Sequence, residues 1–437
     1  MRNHKFKSRG IQLFAALAAV ILTVNLLSFT TSKVAFTESY PAVVCPADSE
    51  NEDSFISLAS SKVSVRKSGT STMAFKESRN SRLAGSDQAT IIDSQAITPI
   101  SWQTRPGIWA GAITCLAPIT SQWFVGGSAD VTSKGRLTLV NSGLGRALVG
   151  ISVFTEAGSQ IEQVIPVKAN SVKSVRLSYL TPGSRALVIN VVSQSGRVNA
   201  FLVDERGRGL QSLGGDAVNS ISTPSRSLVI PAIPHISARA SNQQHILRLM
   251  VPGDVAAEIK ANITSADESF APAGIDGRLI APGKVIDLPL NVLTSSPRFA
   301  LELSADRPIV AAVFSKTLVS GKSDFLWSTP VSELQPSVYS ITGTSPLLVF
   351  AGEKISVDLE IGAPKGKIFN VELRGSGLLT YQVGAKARTV KVKKSSSDTY
   401  GAALINSASG SGYAPLLPGT ALTRSSIPQS DIRVLIP

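Results

Sequence analysis

The sequence predicts an all-β chain: tandem immunoglobulin-like antiparallel β-sandwich domains after an N-terminal transmembrane or signal helix. Three observations carry this expectation. Short apolar runs, many of them alternating, are cut by Gly, Pro, Ser and Asn roughly every 8–12 residues. One such set, Arg136–Val203, returns about 110 residues later between Leu247 and Phe314, a period of one domain and too long for a solenoid or propeller blade. The chain also starts basic and then turns apolar from Ile11 to Phe29.

Residues 1–10 hold Arg2, Lys5, Lys7 and Arg9 and no acid, and Ile11–Phe29 is interrupted only by Gln12, Thr23, Asn25 and Ser28. A helix of that length rises about 28 Å, close to the hydrocarbon thickness of a bilayer. The basic end is expected to stay in the cytoplasm, with everything after Thr31 outside. No clear small-residue cleavage site follows the run, which favours a retained anchor (residues 11–30) over a cleaved signal peptide.

Residues 31–96 read as a Ser-rich, largely flexible segment with a short strand near 40–45. Eleven serines fall between 51 and 100, and charges of both signs are scattered without period. The two weak alternations there, Lys62–Val65 and Met73–Phe75, are candidate short strands. A first sandwich is expected over 97–236, with apolar runs at Leu137–Leu139, Ala147–Phe154, Val164–Val167, Val172–Leu177, Ala186–Val192 and Val198–Val203. The polar stretch Ser237–Gln244 marks a boundary, and a second sandwich is expected over 237–340. A third occupies 341–437. In it Ile355, Val357, Leu359 and Ile361 alternate with Ser356, Asp358 and Glu360, a strand with one wet face. Its likeness to the other repeats is confined to Gly401-Ala402-Ala403-Leu404 against Val198-Asn199-Ala200-Phe201.

The 43% hydrophobic fraction is ample for cores, and with 6% aromatics those cores must be mainly Val, Leu, Ile and Ala. Formal net charge is +13, and removing the four basic residues of the first segment leaves +9. An exported protein of that charge is drawn to anionic wall polymers or lipid headgroups, and nucleic acid is the wrong partner for that compartment. Cys45 and Cys115 are the two cysteines, an even count that favours a disulfide outside the cytoplasm.

Cys45-Pro46, Cys115, Trp123-Phe124-Val125-Gly126-Gly127-Ser128 and Leu137-Thr138-Leu139-Val140-Asn141 together resemble a family of uncharacterised actinobacterial exported proteins. The resemblance covers Val43 to Pro234 and extends loosely beyond. It implies a membrane segment, a β-rich outer part and a cell-envelope setting. It offers no catalytic residues to carry over.

Signals for chemistry are few. His235 and His245 flank the expected boundary and read as solvated linker histidines; no metal site is expected, since a zinc ion needs three or four suitably spaced ligands. Ser64-Val65-Arg66-Lys67 matches the Ser-x-x-Lys spacing of penicillin-binding enzymes, but such a serine must open a helix and this one sits in a strand-like alternation. Gly143-Leu144-Gly145 and Gly207-Arg208-Gly209 lack the third glycine and helix that phosphate cradling requires. Asp204, Glu205 and Asp216 are a conceivable glycosidase cluster, with solvated loop charges the favoured reading.

Two surface features remain. Trp102, Trp109 and Trp123 are either sugar-stacking platforms or core filling, the second being favoured. Lys386, Arg388, Lys391, Lys393 and Lys394, interleaved with Ala387, Val390 and Val392, form either a contact for an anionic polymer or the guard of an edge strand; the guard is favoured. The chain is thus expected to be a non-enzymatic envelope protein without cofactors. Its expected role is structural or adhesive, with binding of wall carbohydrate or anionic polymer the alternative and hydrolysis a distant third. Expected partners are the membrane, through the N-terminal helix, and a wall polymer or another envelope protein.

Overall fold

Runs that alternate in hydropathy become strands because successive side chains point to opposite faces of a sheet. Ile355–Ile361 shows it: every second residue is buried and each one between is half-buried. A computed structural model describes residues 15–20, 36–39, 41–60, 62–71, 73–236, 244–319, 321–420 and 425–428. The chain divides into two units, Met1–Ser39 with Arg424–Pro437, and Tyr40–Thr423. In the first, residues 15–20 are helical and Phe36–Ser39 pairs antiparallel with Ser425–Pro428. The rest of the expected helix Ile11–Phe29 lies outside the described residues. Among the described residues no helix is long and apolar enough to cross a membrane.

In the second unit the described residues repeat one eight-strand topology four times, against three expected sandwiches. Repeat 2 shows it most fully: Ser121–Val125, Arg136–Asn141, Ala147–Thr155, Gln163–Val167, Ser171–Arg176, Leu187–Ser195, Val198–Arg208 and Gln211–Val218. The sixth strand lies between the first and third, and the third also pairs the fourth. The second lies between the fifth and seventh, and the seventh pairs the eighth. These two antiparallel sheets enclose Leu137, Leu139, Val149, Ile151, Ile189, Val191 and Leu202.

Repeat 3 has the same pairings from Ser225–Pro234 to Lys322–Ser328, with its sixth and seventh strands fused into Arg298–Val319, which crosses from one sheet to the other. Repeat 4 runs from Ser337–Ser340 to Gly410–Pro415. There the second and third strands merge into Leu347–Gly362 and the fourth and fifth into Ile368–Gln382. The segment Gly401–Leu404, noted for its likeness to Val198–Phe201, lies in the equivalent seventh strand.

Repeat 1 is the correction to the sequence reading. The Ser-rich stretch expected to be largely flexible carries strands Asp53–Ser57, Ser64–Lys67, Lys76–Glu77, Arg82–Ala84 and Thr90–Asp93. Val43–Cys45 precedes them, and Ile97–Arg105 and Trp109–Thr114 follow. Pairings are again first–sixth, third–fourth, third–sixth, second–fifth, second–seventh and seventh–eighth. The 97–114 region, assigned from sequence to the domain of repeat 2, therefore completes repeat 1. Cys45, Ile56, Leu58, Ile92 and Cys115 form its small core, closed by the Cys45–Cys115 disulfide with a Cα–Cα distance of 4.9 Å.

The four repeats close into a cycle. Ile91 and Ala89 of repeat 1 pack on Val140, Phe201 and Ala217 of repeat 2. Core residues of repeat 2 meet Met250, Phe314, Phe325 and Trp327 of repeat 3. Ala232 and Ala300 of repeat 3 meet Val349, Ala402, Leu404 and Tyr413 of repeat 4. Closure back to repeat 1 is different. Val338–Ser340, on the first strand of repeat 4, pairs in parallel with Ile97–Pro99 at the start of the seventh strand of repeat 1, and Trp102, Ala110 and Ala112 enter the core of repeat 4.

The eighth strands meet at the middle, where glycines permit the approach. A Cβ on Gly111 would lie 2.6 Å from the Ala217 nitrogen, and one on Gly412 would lie 2.6 Å from the Ala112 nitrogen. Asn219 ties three repeats together: its amide donates to the Ala112 carbonyl (2.9 Å) and the Tyr413 carbonyl (2.7 Å) and accepts from the Thr114 N–H (3.1 Å).

Candidate functional site

A cluster of buried polar groups lies where repeats 1, 2 and 3 meet. Asp204 and Glu205 sit on the seventh strand of repeat 2, Asp216 on its eighth, and Asp324 on the eighth of repeat 3. All four are buried, so the expectation of solvated loop charges is overturned. Arg206-Gly207-Arg208-Gly209 has the composition of a turn, yet strand pairing continues through Arg208 and carries Asp204 and Glu205 into the interior.

Each carboxylate holds a neighbouring element. Asp204 Oδ2 accepts from Trp327 Nε1 (2.9 Å), the Gly127 N–H (3.3 Å) and Arg206 Nη2 (2.8 Å). Glu205 accepts from Trp109 Nε1 (3.1 Å) and pairs with Arg105. Asp216 takes the Trp327 N–H (2.7 Å) and its neighbour's, Ala217 (2.8 Å). Asp324 Oδ1 takes the Gly215 N–H (3.1 Å).

Two arginines complete the cluster. The Arg206 guanidinium lies 4.8 Å from the Phe314 ring centre and 5.1 Å from that of Phe325. Arg248 sits 5.0 Å from the Trp327 ring centre, pairs with Asp287 at 2.8 Å and donates to the Gly127 carbonyl at 2.7 Å. Cation–aromatic contacts of this kind gain strength when desolvated.

Burial pushes Asp216 well above the usual carboxylate range, and the nearby charges of Asp324 and Asp204 push the same way. Burial likewise raises Asp324, to about 7. Chemically the cluster is a set of fastenings: one oxygen of each carboxylate accepts from a backbone or indole N–H group of an adjoining repeat. Among the described residues no group of three or more His, Cys, Asp or Glu is placed to hold a metal ion. A cavity where repeats 1, 2 and 4 meet, lined by Thr114, Gln122, Asn199, Asn219 and Pro415, has room for about one water molecule.

The sequence candidates separate clearly. Trp102 and Trp109 are buried, so neither is a platform for sugar; Trp102 belongs to the shared core of repeat 4 and Trp109 holds Glu205. Trp123 is half-buried and stacks on Phe154 at 6.0 Å between ring centres. Lys386, Lys391, Lys393 and Lys394 are exposed and Arg388 half-buried, while Val390 and Val392 are core, so the alternation holds. The edge-guard reading fails, because Thr389–Val392 has a paired strand on both sides. Within the stripe Lys393 reaches Glu360 at 4.0 Å, and Lys391 stands opposite Glu360 in the strand register.

His235 and His245 are not solvated. His235 Nδ1 and His245 Nε2 lie 3.0 Å apart and His245 Nδ1 contacts Ser315 Oγ at 2.9 Å, both rings edge-on to Phe299. Burial, with His235 alongside, lowers His245 to about 3. Ser64–Lys67 is a strand, and its basic residues are structural. Arg66 donates to Asn170 Oδ1 (2.7 Å) and the Ser142 carbonyl (2.6 Å) of repeat 2, and Lys67 donates to Ser86. The burial of these carboxylates leaves no local signal in the sequence, since the residues that cover them, Trp109 and Trp327, come from repeats 1 and 3.

Comparison with known proteins adds a family. Residues 93–399 match the profile of a family of unknown function, DUF5719. No curated protein matches the sequence. Among solved structures, the chain is similar at 16% identity and a TM-score of 0.21 to one described as Thermotoga maritima 1070, covering 23% of this chain and 93% of that one. A tetra-tandem repeat from the extending region of a large adhesion protein follows at 11% identity and a TM-score of 0.11, covering 88% and 94%. At these scores the likeness bears on neither fold nor function.

Proposed function

The chain belongs to the family of unknown function DUF5719, which lends it no activity, and we propose that it is a non-enzymatic scaffold of an actinobacterial cell envelope. The observation that supports this best is the use made of its carboxylates. Asp204, Glu205, Asp216 and Asp324 face inward and fasten one repeat to the next. A catalytic pair needs an open cleft and polar groups converging on it. Here one oxygen of each carboxylate is taken up by Trp109, Trp327 or a backbone N–H donor of an adjoining repeat.

Export is supported by the basic and apolar start of the chain and by the Cys45–Cys115 bond, since such bonds persist in oxidising compartments. In this reading the N-terminal run anchors the protein and the four-repeat body works outside as a rigid platform for envelope partners. The alternative, contact with an anionic wall polymer, draws on the exposed lysines of repeat 4.

Two measurements on the full chain test the proposal. Alkaline phosphatase fused after Pro437 should be active in cells; an inactive fusion beside an active secreted control would sink the exported reading. Cosedimentation with isolated cell walls that fades as salt rises favours the polymer alternative. Failure to sediment at any salt leaves protein partners of a scaffold and removes the polymer.

A further inference from the structure

One end of repeat 4 combines features found separately elsewhere. The turn of its long hairpin, Ala363-Pro364-Lys365-Gly366-Lys367, leads directly into Ile368 and Phe369, which are 57% and 56% exposed although they begin a strand. Phe369 pairs across to Ile361 and Ile368 to Gly362, at the tip of a strand whose outer edge has no partner strand among the described residues.

Backbone contacts gather the neighbouring loops at the same end. The Arg388 N–H donates to the Gly362 carbonyl (2.8 Å), and the Ile341 N–H donates to the Arg388 carbonyl (2.8 Å). Ser57 Oγ donates to the Thr342 carbonyl (2.8 Å), which brings in the edge of repeat 1 where Arg82 stacks 3.7 Å from the Phe55 ring centre. The loops 341–346, 363–367 and 383–388 contain Lys365, Lys367, Lys386 and Arg388 and no acid. The first acid back along the strands, Glu360, is half-buried and faces Lys393.

Exposed Ile and Phe set among lysines and arginine match the chemistry of a lipid interface. The apolar pair can enter the headgroup layer while cations on flexible stems reach phosphates. A soluble polyanion would match the charges but give Ile368 and Phe369 nothing to bury against. We infer that this end of repeat 4 docks on an anionic lipid surface, with Ile368 and Phe369 inserted and Lys365, Lys367, Lys386 and Arg388 meeting the headgroup phosphates. The inference stands apart from the scaffold reading, because it holds for whichever anionic leaflet the body meets.

The test uses the full-length chain with Asn370→Cys carrying an environment-sensitive dye, so that the readout is local to the hairpin and not to the N-terminal run. Vesicles containing phosphatidylglycerol should shift the dye to the blue and raise its emission. Pure phosphatidylcholine should leave it nearly unchanged. Adding K365E and K367E should weaken the response to phosphatidylglycerol vesicles by about tenfold or more. Changing Ile368 and Phe369 to Ser, both exposed and so harmless to the core, should remove the blue shift.

An unchanged dye spectrum with anionic vesicles overturns the inference. So does a response to phosphatidylcholine equal to that with phosphatidylglycerol, since the cations would then have no part. An equal shift with soluble polyphosphate and no vesicles overturns it in favour of a polymer.

Discussion

The same surface is treated in two ways within this molecule. On the sixth strand of repeats 1, 2 and 3, the outward residues Ile91, Val188 and Ala300 are buried in clusters shared with the next repeat. On the sixth strand of repeat 4 the outward position is Lys391, exposed, with Lys393 beside it. One topology therefore serves as a link or as an end according to a few outward residues. Repeat arrays commonly need such polar terminal faces to stay soluble. Here the array ends on a charged face and also closes, because the edge of repeat 4 joins repeat 1 beside that face.

The largest expected effects lie at the sealed junctions. Trp327→Ala should cost about 3–5 kcal/mol in thermal or denaturant unfolding. It empties a fully buried site, removes the indole donor from Asp204 and takes an aromatic partner from Arg206 and Arg248. A change near zero would show that the repeats do not depend on one another there. Replacing Cys45 and Cys115 by Ser should cost up to about 4 kcal/mol for a closed loop of this length, measured under oxidising conditions. Equal melting of variant and parent would remove the disulfide from the account of repeat 1.

Acid separates a junction from the interior of a repeat. Asp324 keeps its proton up to about pH 7 when folded, against about 3.8 otherwise. Its contribution to stability is thus fully present below about 3.8 and is lost as pH rises towards 7. His245 has the opposite sign: folded it resists protonation down to about 3, so its contribution is present above 6.5 and is lost as pH falls towards 3. At pH 5 each effect amounts to about 2 kcal/mol, since a tenfold change in a protonation equilibrium is worth roughly 1.4 kcal/mol. Stability curves against pH should therefore tilt in opposite directions for Asp324→Asn and His245→Gln. Parallel curves would refute the assignment. The smallest effect belongs to the open face, where K391V with K393V should change stability by about 0.5 kcal/mol or less. A large loss would mean that this face is covered after all.

Legibility from sequence follows the local signal. Repeats 2 and 3 are visible because Leu137, Leu139, Val149, Ile151 and their counterparts from Leu247 onward supply a full apolar stripe to each strand. Repeat 1 is not, because its own core rests on few residues, among them Ile56, Leu58 and Ile92, with serines between. Part of its apolar surface, Trp102, Ala110 and Ala112, is committed to repeat 4. The carboxylates mislead for a related reason: a run such as Asp204-Glu205-Arg206-Gly207 has the composition of a turn, and what buries it comes from other repeats, about a hundred residues away. For the lysine stripe the alternation is right and the position wrong, since period reveals which face is wet but not which strand lies alongside.

The closing contacts join residues far apart in the chain: Ser57 to Thr342, Thr114 to Pro415 and Thr98 to Gly419, separations of 285, 301 and 321 residues. Contacts of such range cannot form until synthesis is almost finished. The Trp102 face of repeat 1 must therefore wait, apolar and uncovered, while the other three repeats are made. A chain threaded through a membrane in order would expose that face first on the far side. A chain exported in that way would need a holding partner, or repeats 2 and 3 that fold fast enough to carry repeat 4 back before neighbouring copies meet.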